Sequence, residues 1–283
     1  MPLVTLLTDF GLDSPYPAEM RAVLCAPTFG PPIQVVDITH CVRRHDVRQG
    51  AYLLRAACTA FPEGTVHLAV VDPGVGTERR ALAIRSGGMV FVGPDNGLLL
   101  PAARAVGTPE IRQIAHPDLR RLQVSFTFHG RDLFAPAARW LALGFPFEAV
   151  GPRVDDPVEL SFGSPSRSEG VLHGEVLAAD PFGNLATNLP GAWLADLPER
   201  VEVAIGRRYS ARKVRTYGEA ERGELVVLVG SDGLVEIAVR EGSALEQLGA
   251  RPGDPISLAP GDRPRDRDDG VLSVEQAHRE EEG

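Results

Sequence analysis

The sequence predicts an α/β domain with a mainly parallel sheet in residues 1–152, followed by a smaller all-β domain in residues 170–260. In the first part, short β-branched runs alternate with longer segments of helical periodicity, as parallel strands joined by crossover helices require. In the second part, short strands follow one another without a long helical segment. Residues 153–169 are rich in Pro, Ser, Gly and acidic side chains and are predicted as a linker. Residues 261–283 are densely charged and are predicted as a mobile tail or a frayed helix.

The individual elements are predicted from runs of apolar and β-branched residues and from helical spacing. The predicted strands of the first domain are Val4–Thr8, Gln34–Ile38, Thr65–Val71, Ala81–Arg85 and Val90–Val92. Its predicted helices are Pro17–Leu24, Asp46–Ala60, Gly97–Ala105 and Gly130–Leu143. The predicted strands of the second domain are Gly174–Ala178, Val201–Ile205, Leu225–Val229, Leu234–Val239 and Pro255–Leu258.

The composition excludes several classes of protein. Hydrophobic residues make up 43% and charged residues 24%, which is ordinary globular usage. The net charge of -9 argues against a nucleic-acid partner, because phosphate neutralisation needs clustered Lys and Arg. The apolar runs are too short to cross a membrane, and no signal peptide is recognisable at the start, so a soluble cytoplasmic protein is expected. The three cysteines, without CxxC spacing, are predicted to be buried structural thiols.

Acidic residues follow three strand-like runs, Val4–Thr8, Gln34–Val36 and His67–Val71. Asp9, Asp37 and Asp72 each come at the end of an apolar run, and Asp95 and Asn96 follow another. In open α/β sheets, ligands bind beyond the carboxyl ends of the strands. A single such Asp most often stabilises a turn, but together these residues predict a polar site at one edge of the sheet.

The segment Asp72–Arg80 contains two glycines but lacks the third glycine of a dinucleotide fingerprint and the Gly-Lys-Ser/Thr of a Walker loop. It predicts a tight turn that folds Arg79 back over Asp72. An Asp beside an arginine stays ionised and orients water rather than taking a proton. His129 precedes a predicted amphipathic helix and gains interest only in company with Asp72 and Arg79.

The β domain contains a second group of candidates. Asp180, Phe182 and Asn184 join an acid, an aromatic ring and an amide across a predicted tight turn, a mixture that suits a small polar ligand with a flat ring. Ser231 lies in a Ser-Asp-Gly segment that most simply predicts a hairpin turn.

Seven ordered blocks of the chain, spanning about residues 3 to 258, together resemble the S-adenosyl-L-methionine hydroxide adenosyltransferases, relatives of the fluorinase and chlorinase enzymes. The blocks are TDFG from Thr8, VVDITH from Val35, DVRQGAYLL from Asp46, FPEGTVHLAVVDPGVGTERR from Phe61, GPDNGLL from Gly93, TFHGRDLFAPAA from Thr127 and DPFGNLATNL from Asp180. The resemblance implies a β-barrel-like C-terminal domain and a homotrimer with sites between subunits. It also implies cleavage of S-adenosylmethionine by water into adenosine and methionine, with no cofactor and no metal.

The resemblance also suggests roles for individual residues. Asp72, Arg79 and His129 match the family's Asp/Arg/His set and are expected to hold the attacking water or hydroxide. Arg79 is expected to favour hydroxide, and His129, whose unperturbed pKa is near neutrality, to take or share the proton.

The substrate contacts are also carried over by similarity. Asp9 matches the acid that binds the ribose hydroxyls, Asp180 the one near the methionine amine, and Asn184 the amide on the adenine side, with Phe182 packing nearby. The nucleoside side is expected to be lined by Ser231, Glu236 and Val239. Asp232 stands where halogenating relatives have an Arg, which puts the contact to the methionine carboxylate in doubt.

Three alternatives stay open at this point. The first, and the expected reaction, is hydrolysis. Halogenating relatives carry a tyrosine at the Asp72 position, and the fluorinase also carries a serine at the Gly130 position, whereas this chain has neither residue. A charged Asp72 would also repel a halide. A protein that binds the nucleoside or S-adenosylmethionine without turnover is the second alternative. The third is a metal-dependent hydrolase that uses Asp9, Asp37, His40 and Asp72 as ligands.

Overall fold

The computed structural model of the protein describes residues 1–27, 30–160 and 162–261. The chain divides into two compact units, the first Met1–Phe162 and the second beginning at Gly163. The division therefore falls inside the segment predicted as a linker. Residues 153–160 of that segment are tied to the first unit, since Val158 donates its N–H to Asp95 and Asp156 pairs with Arg80. The predicted tail lies outside the described residues, except for Gly261.

The first unit is an α/β domain around one six-stranded sheet. Its strands are β1 (Leu3–Thr8), β2 (Gln34–Thr39), β3 (Val66–Val70), β4 (Ala81–Ser86), β5 (Met89–Pro94) and β6 (Glu110–Gln113). Its helices are α1 (Tyr16–Leu24), α2 (Val47–Cys58), α3 (Leu100–Val106) and α4 (Ala135–Ala142). The strand order is β2-β1-β3-β5-β4-β6, with parallel pairing from β2 to β5 and antiparallel pairing of β4 with both its neighbours. The predicted mainly parallel sheet is confirmed.

Helices cover both faces of this sheet, which is why its central strands are mostly apolar. On one face, Met20 of α1 and Phe134 pack with alternate strand residues such as Leu6 and Leu68. On the other face, Leu54 of α2 packs with Leu7 and the other alternate residues. The strands β1, β3 and β5 are therefore largely buried on both faces.

The second unit is a barrel, as the family resemblance implied. Its strands are β7 (Ser166–Ser168), β8 (Val171–Ala179), β9 (Leu185–Pro190), β10 (Arg200–Ile205), β11 (Arg207–Lys213), β12 (Leu225–Val229), β13 (Leu234–Val239) and β14 (Pro255–Pro260), with one short helix, α5 (Ala244–Leu248). The order is β14-β10-β11-β12-β13-β9-β8-β7, and the additional pairing of β14 with β8 closes seven of the strands. A separate apolar core, which includes Val203, Val235 and Leu258, fills this barrel.

Two details of the polar residues differ from expectation. Asp37 lies inside β2, which continues to Thr39, and not at its end. Two of the cysteines, Cys25 and Cys41, are exposed because they lie in the turns after α1 and β2, so their predicted burial is wrong; only Cys58 is buried. No helix within the described ranges is long and apolar enough to cross a membrane.

Two helix starts depart from the predicted boundaries. Asp46 is the N-cap of α2, where its carboxylate accepts the backbone N–H of Gln49 at 2.9 Å. The predicted helix Gly130–Leu143 begins instead with a π-helical turn, Gly130–Phe134, and becomes α-helical only from Ala135. Such wide turns occur often at functional sites, and this one directly follows His129.

Candidate active site

The turn after β3 folds Arg79 back onto Asp72, as the sequence predicted. The Arg79 Nε lies 2.9 Å from Oδ1 and 3.0 Å from Oδ2 of Asp72, and Nη2 makes a further short contact with Oδ2. Both side chains are nearly enclosed, with 5% of the Asp72 side chain and 11% of the Arg79 side chain exposed. The guanidinium also lies over the ring of Phe134, 5.0 Å from its centroid. The pair is therefore a charge-assisted, bidentate contact.

His129 joins this pair from the loop that precedes the π-helical turn. Its Nδ1 lies 2.8 Å from Nη2 of Arg79. Since a guanidinium can only donate, Nδ1 must accept, and the neutral ring carries its proton on Nε2. Burial and the positive charge of Arg79 both lower the pKa of His129, although Asp72 and Asp132 oppose this. The ring is consequently neutral at physiological pH.

A small cavity of about 130 Å³ adjoins Asp72 and His129. Its remaining walls are largely apolar, and they include the rings of Phe10, Tyr16 and Phe128. These three rings contact one another edge to face, with centroids 4.9 to 5.8 Å apart. The cavity therefore sets one carboxylate and one imidazole against aromatic walls.

Asp9 lies in the turn directly after β1. Its Oδ2 accepts the backbone N–H of His45 at 2.9 Å, which links this turn to the loop after β2. His45 adopts the left-handed backbone conformation with φ of 64°, which His tolerates better than most residues. One carboxylate oxygen of Asp9 thus holds the turn after β1 to the loop after β2.

In the barrel, Asp180 organises the tight turn between β8 and β9. Its Oδ1 accepts the backbone N–H groups of Phe182 and Asn184, both at 2.9 Å, and its Oδ2 accepts the side-chain amide of Asn184 at 3.0 Å. The ring of Phe182 is 78% exposed. The structure therefore brings these three predicted contacts together on one exposed turn.

Glu236 and Val239 lie on β13, and Ser231 lies in the hairpin turn that leads into it. Glu236 is half-buried, and burial is the main cause of its raised pKa, with Asp180 and Asp232 adding to the effect. Val239 is buried in the core of the barrel. Ser231 is exposed. These three residues thus have very different surroundings.

Sequence reasoning missed three residues near these groups. Tyr217 donates its hydroxyl to Oε1 of Glu236, and no motif marks it. Phe10 and Tyr16 line the cavity beside Asp72. Phe10 falls inside the TDFG block and was open to detection, whereas Tyr16 has no sequence signal because its position depends on how α1 packs.

The predicted metal set is not assembled in the structure. Among the described residues, no group of three or more His, Cys, Asp or Glu side chains is placed to hold a metal ion. His40 is 2% exposed, while Asp37 binds Arg21. The Nδ1 of His40 is within hydrogen-bond distance of Thr8, so two of the four proposed ligands have protein partners, which counts against the metal-dependent alternative.

Comparison with known proteins assigns the chain to a family. The SAM hydroxide adenosyltransferase N-terminal domain matches residues 4–151, and the corresponding C-terminal domain matches residues 174–257. The chain is 45% identical to an (R)-S-adenosyl-L-methionine hydrolase of Thermus thermophilus, over 90% of this chain and 98% of that protein. It is 42% identical to a protein of the same name from Salinispora tropica, over 92% and 98%.

More distant relatives and a solved structure agree with this assignment. A fluorinase of an Actinoplanes species is 27% identical over 66% of this chain and 72% of its own length. A crystal structure of a Thermotoga maritima protein superposes with a TM-score of 0.84 at 38% identity, covering 90% of this chain and 99% of that one. The chain belongs to the SAM hydroxide adenosyltransferase family.

Proposed function

We propose that the protein hydrolyses S-adenosyl-L-methionine to adenosine and L-methionine. The observation that carries this proposal is the Asp72–Arg79–His129 cluster, which lies against a small, largely apolar cavity. Relatives 42% and 45% identical over most of their length bear the name of this activity, with the (R) configuration specified. The substrate proposed here is therefore the (R)-configured compound.

The reaction needs an oxygen nucleophile more than it needs acid catalysis. Attack on the 5′ carbon forms a C–O bond and breaks the C–S bond, and the electron pair leaves on sulfur as a neutral thioether. The residues therefore have to place one water opposite the sulfur and exclude others. We assign that role to Asp72 and His129, which both line the cavity, with Arg79 fixing the two.

The contact between Arg79 and His129 favours a donor role for the imidazole over the proton-accepting role expected from the sequence. With Nδ1 occupied by the guanidinium, the neutral ring offers only its Nε2 proton to the cavity. The oxygen that has attacked carbon is a strongly acidic oxonium, so even an arginine-paired carboxylate accepts its proton. We infer that this proton leaves through Asp72, and that one proton is released per turnover.

The remaining predicted contacts would complete the substrate site. Asp9 would bind the ribose hydroxyls, Asp180 the methionine amine and Asn184 the adenine, as the family resemblance suggests. We also propose a cytoplasmic homotrimer with sites between subunits. Light scattering after size-exclusion chromatography tests the trimer, for which a mass of three times 30.4 kDa is expected.

A halogenase reaction is the second candidate, because fluorinases are among the relatives. Its weakness lies at Asp72, whose negative charge faces the cavity where a halide would have to bind. Chloride is therefore expected to leave the products unchanged.

The decisive assay separates the products formed from (R)- and (S)-configured S-adenosylmethionine, with and without excess chloride. Adenosine and methionine are expected from the wild-type protein. Asp72→Asn is expected to lower kcat by about 10²-fold or more, because the nucleophile loses its charged partner. The matched control is Asp95→Asn, which removes a carboxylate from the neighbouring Arg80 pair and should keep kcat. Equal activity in all three proteins would refute the assigned site, and a halogenated nucleoside would refute hydrolysis.

A further inference from the structure

The mechanism above leaves a buried histidine unused beneath the Asp9 turn. His40 follows β2, and only 2% of it is exposed. Its Nδ1 lies 2.8 Å from Oγ1 of Thr8, the last residue of β1. Its Nε2 lies 3.2 Å from Oδ1 of Asp37, outside good hydrogen-bond alignment but close enough for the carboxylate to favour an N–H at that nitrogen. Asp37 is in turn paired with Arg21 of α1.

These contacts give the chain of groups a direction. Burial, and secondarily Arg21, lower the pKa of His40, so its ring is neutral. The Asp37 carboxylate favours the tautomer with the proton on Nε2, which leaves Nδ1 to accept the hydroxyl proton of Thr8. The Thr8 oxygen then accepts the backbone N–H of Phe10 at 3.3 Å. Each group therefore donates towards Asp37: the backbone N–H of Phe10 to Thr8, the Thr8 hydroxyl to His40, and the Nε2–H of His40 towards the carboxylate.

The same two segments are joined by backbone contacts on either side of this chain of groups. The N–H of Gly11 donates to the carbonyl of His40 at 2.8 Å, and the N–H of Val42 donates to the carbonyl of Thr8 at 3.3 Å. Beyond them, the N–H of His45 donates to Asp9. The loops after β1 and β2 thus form one unit, with His40 at its centre and the Asp9 carboxylate at its rim.

We propose that His40 is a positioning residue for substrate binding, acting through Thr8 to hold the turn that carries Asp9 and Phe10. The inference rests on the proposed hydrolase function, because Asp9 is there assigned to the ribose. Since the ribose hydroxyls do not react, loss of this support weakens the binding of the substrate and of the transition state equally. It raises KM and leaves kcat nearly unchanged.

The protein contains a matched pair that serves as a control. His67 of β3 is fully buried, and its Nδ1 lies 2.8 Å from Oγ1 of Thr5, also on β1. Its ring stacks on Phe91 with centroids 5.0 Å apart, and burial lowers its pKa to about 4. The His67–Thr5 contact thus repeats the His40–Thr8 contact on the same strand, β1, but away from the Asp9 turn.

The test compares substitutions at the two histidines in the full-length protein. Asn places an amide group near the Nδ1 position, whereas the longer Gln side chain places it near Nε2. His40→Gln and Thr8→Val are each expected to raise KM for S-adenosylmethionine by about tenfold with kcat within about twofold of wild type, the scale of one lost hydrogen bond. His40→Asn should stay within about threefold of the wild-type KM. His67→Gln should lower the melting temperature without changing KM.

Adenosine affinity, measured by calorimetry on the same proteins, provides a readout that does not depend on turnover. A wild-type protein that binds adenosine but does not hydrolyse the substrate would refute the proposed function, and the affinities would still test His40. An unchanged KM and adenosine Kd in both His40→Gln and Thr8→Val would overturn the inference. So would a His67→Gln protein as impaired in binding as His40→Gln, or a His40→Asn protein no better than His40→Gln.

Discussion

Arg79 determines what its two neighbours can do chemically. It donates to both oxygens of Asp72 and to Nδ1 of His129, and its guanidinium lies over the Phe134 ring. A lysine could not replace it, because a single ammonium lacks the planar fork that reaches both partners at once. The chemistry of the site therefore depends on a residue that need not touch the substrate.

The state of His129 gives a prediction for the pH dependence of the reaction. Its pKa lies below the usual value for histidine of about 6.5, because of burial and the charge of Arg79, so the neutral form predominates above that pH. As pH falls through the lowered pKa, the ring gains a proton on Nδ1 and can no longer accept from Arg79. We expect kcat/KM to be flat above pH 7 and to decline only below pH 6.5, in a pH-rate profile of the wild-type protein.

His129→Asn is the control for that profile, since its amide oxygen can accept from Arg79 but does not titrate. Its activity is expected to be lower than that of wild type and to lack the decline assigned to His129. A wild-type rate that rises as pH falls below 6.5 would contradict the donor role.

At the scale of elements, the turn between Asp72 and Arg79 depends on Gly76, whose φ is 79°. A Cβ at this position would lie 2.6 Å from the carbonyl oxygen of Phe126, in the loop that leads to His129. We expect Gly76→Ala to lower the free energy of unfolding by about 2 kcal/mol or more and to reduce kcat, because both loops must shift. Urea denaturation and the hydrolysis assay measure the two effects.

Gly64→Ala separates backbone strain from the close contact. Gly64 has a φ of 84°, but nothing lies within 4 Å of a Cβ built there. Its substitution is expected to cost about 1 kcal/mol, from the left-handed conformation alone, and to leave kcat unchanged. Equal loss of activity in the two variants would show that the Phe126 contact is irrelevant to the site.

The elements that sequence reasoning found and missed differ in their side chains. β12 and β13 consist almost entirely of Val, Leu and Ile and were predicted to the residue. β11, Arg207–Lys213, carries mainly charged and polar residues, and it was missed because it is defined by pairing with β10 rather than by apolar alternation. The π-helical turn Gly130–Phe134 was missed for a similar reason, since no local periodicity distinguishes it from an α-helix.

For the molecule as a whole, the residues alone predicted a candidate-site contact between neighbours in the sequence but not the contacts between distant residues. The contact between Asp72 and Arg79 spans a short turn and was predicted from the glycines between them. The contact of Arg79 with His129 joins residues 50 positions apart, and only the family resemblance indicated it. The Tyr217 contact with Glu236 had neither signal, because it depends on how the barrel strands are ordered.

The barrel has its own core, and its closure depends on one strand. β14 pairs with β10 on one side and β8 on the other, and its Leu258 is fully buried. We therefore expect residues 163–261 to fold alone, with a strand-rich circular dichroism spectrum and a cooperative thermal transition. Trp193, which packs against the barrel core, is the only tryptophan of this fragment and reports the same transition by fluorescence.

A fragment that ends at residue 254 is the matched comparison, because it lacks β14 and leaves the edges of β8 and β10 unpaired. Such edges invite association between chains, and the loss of Ile256 and Leu258 opens the core to water. This shorter fragment should melt without cooperativity or aggregate. If both fragments melted alike, closure by β14 would not be what stabilises the barrel, and the apolar core contributed by the other strands would have to suffice.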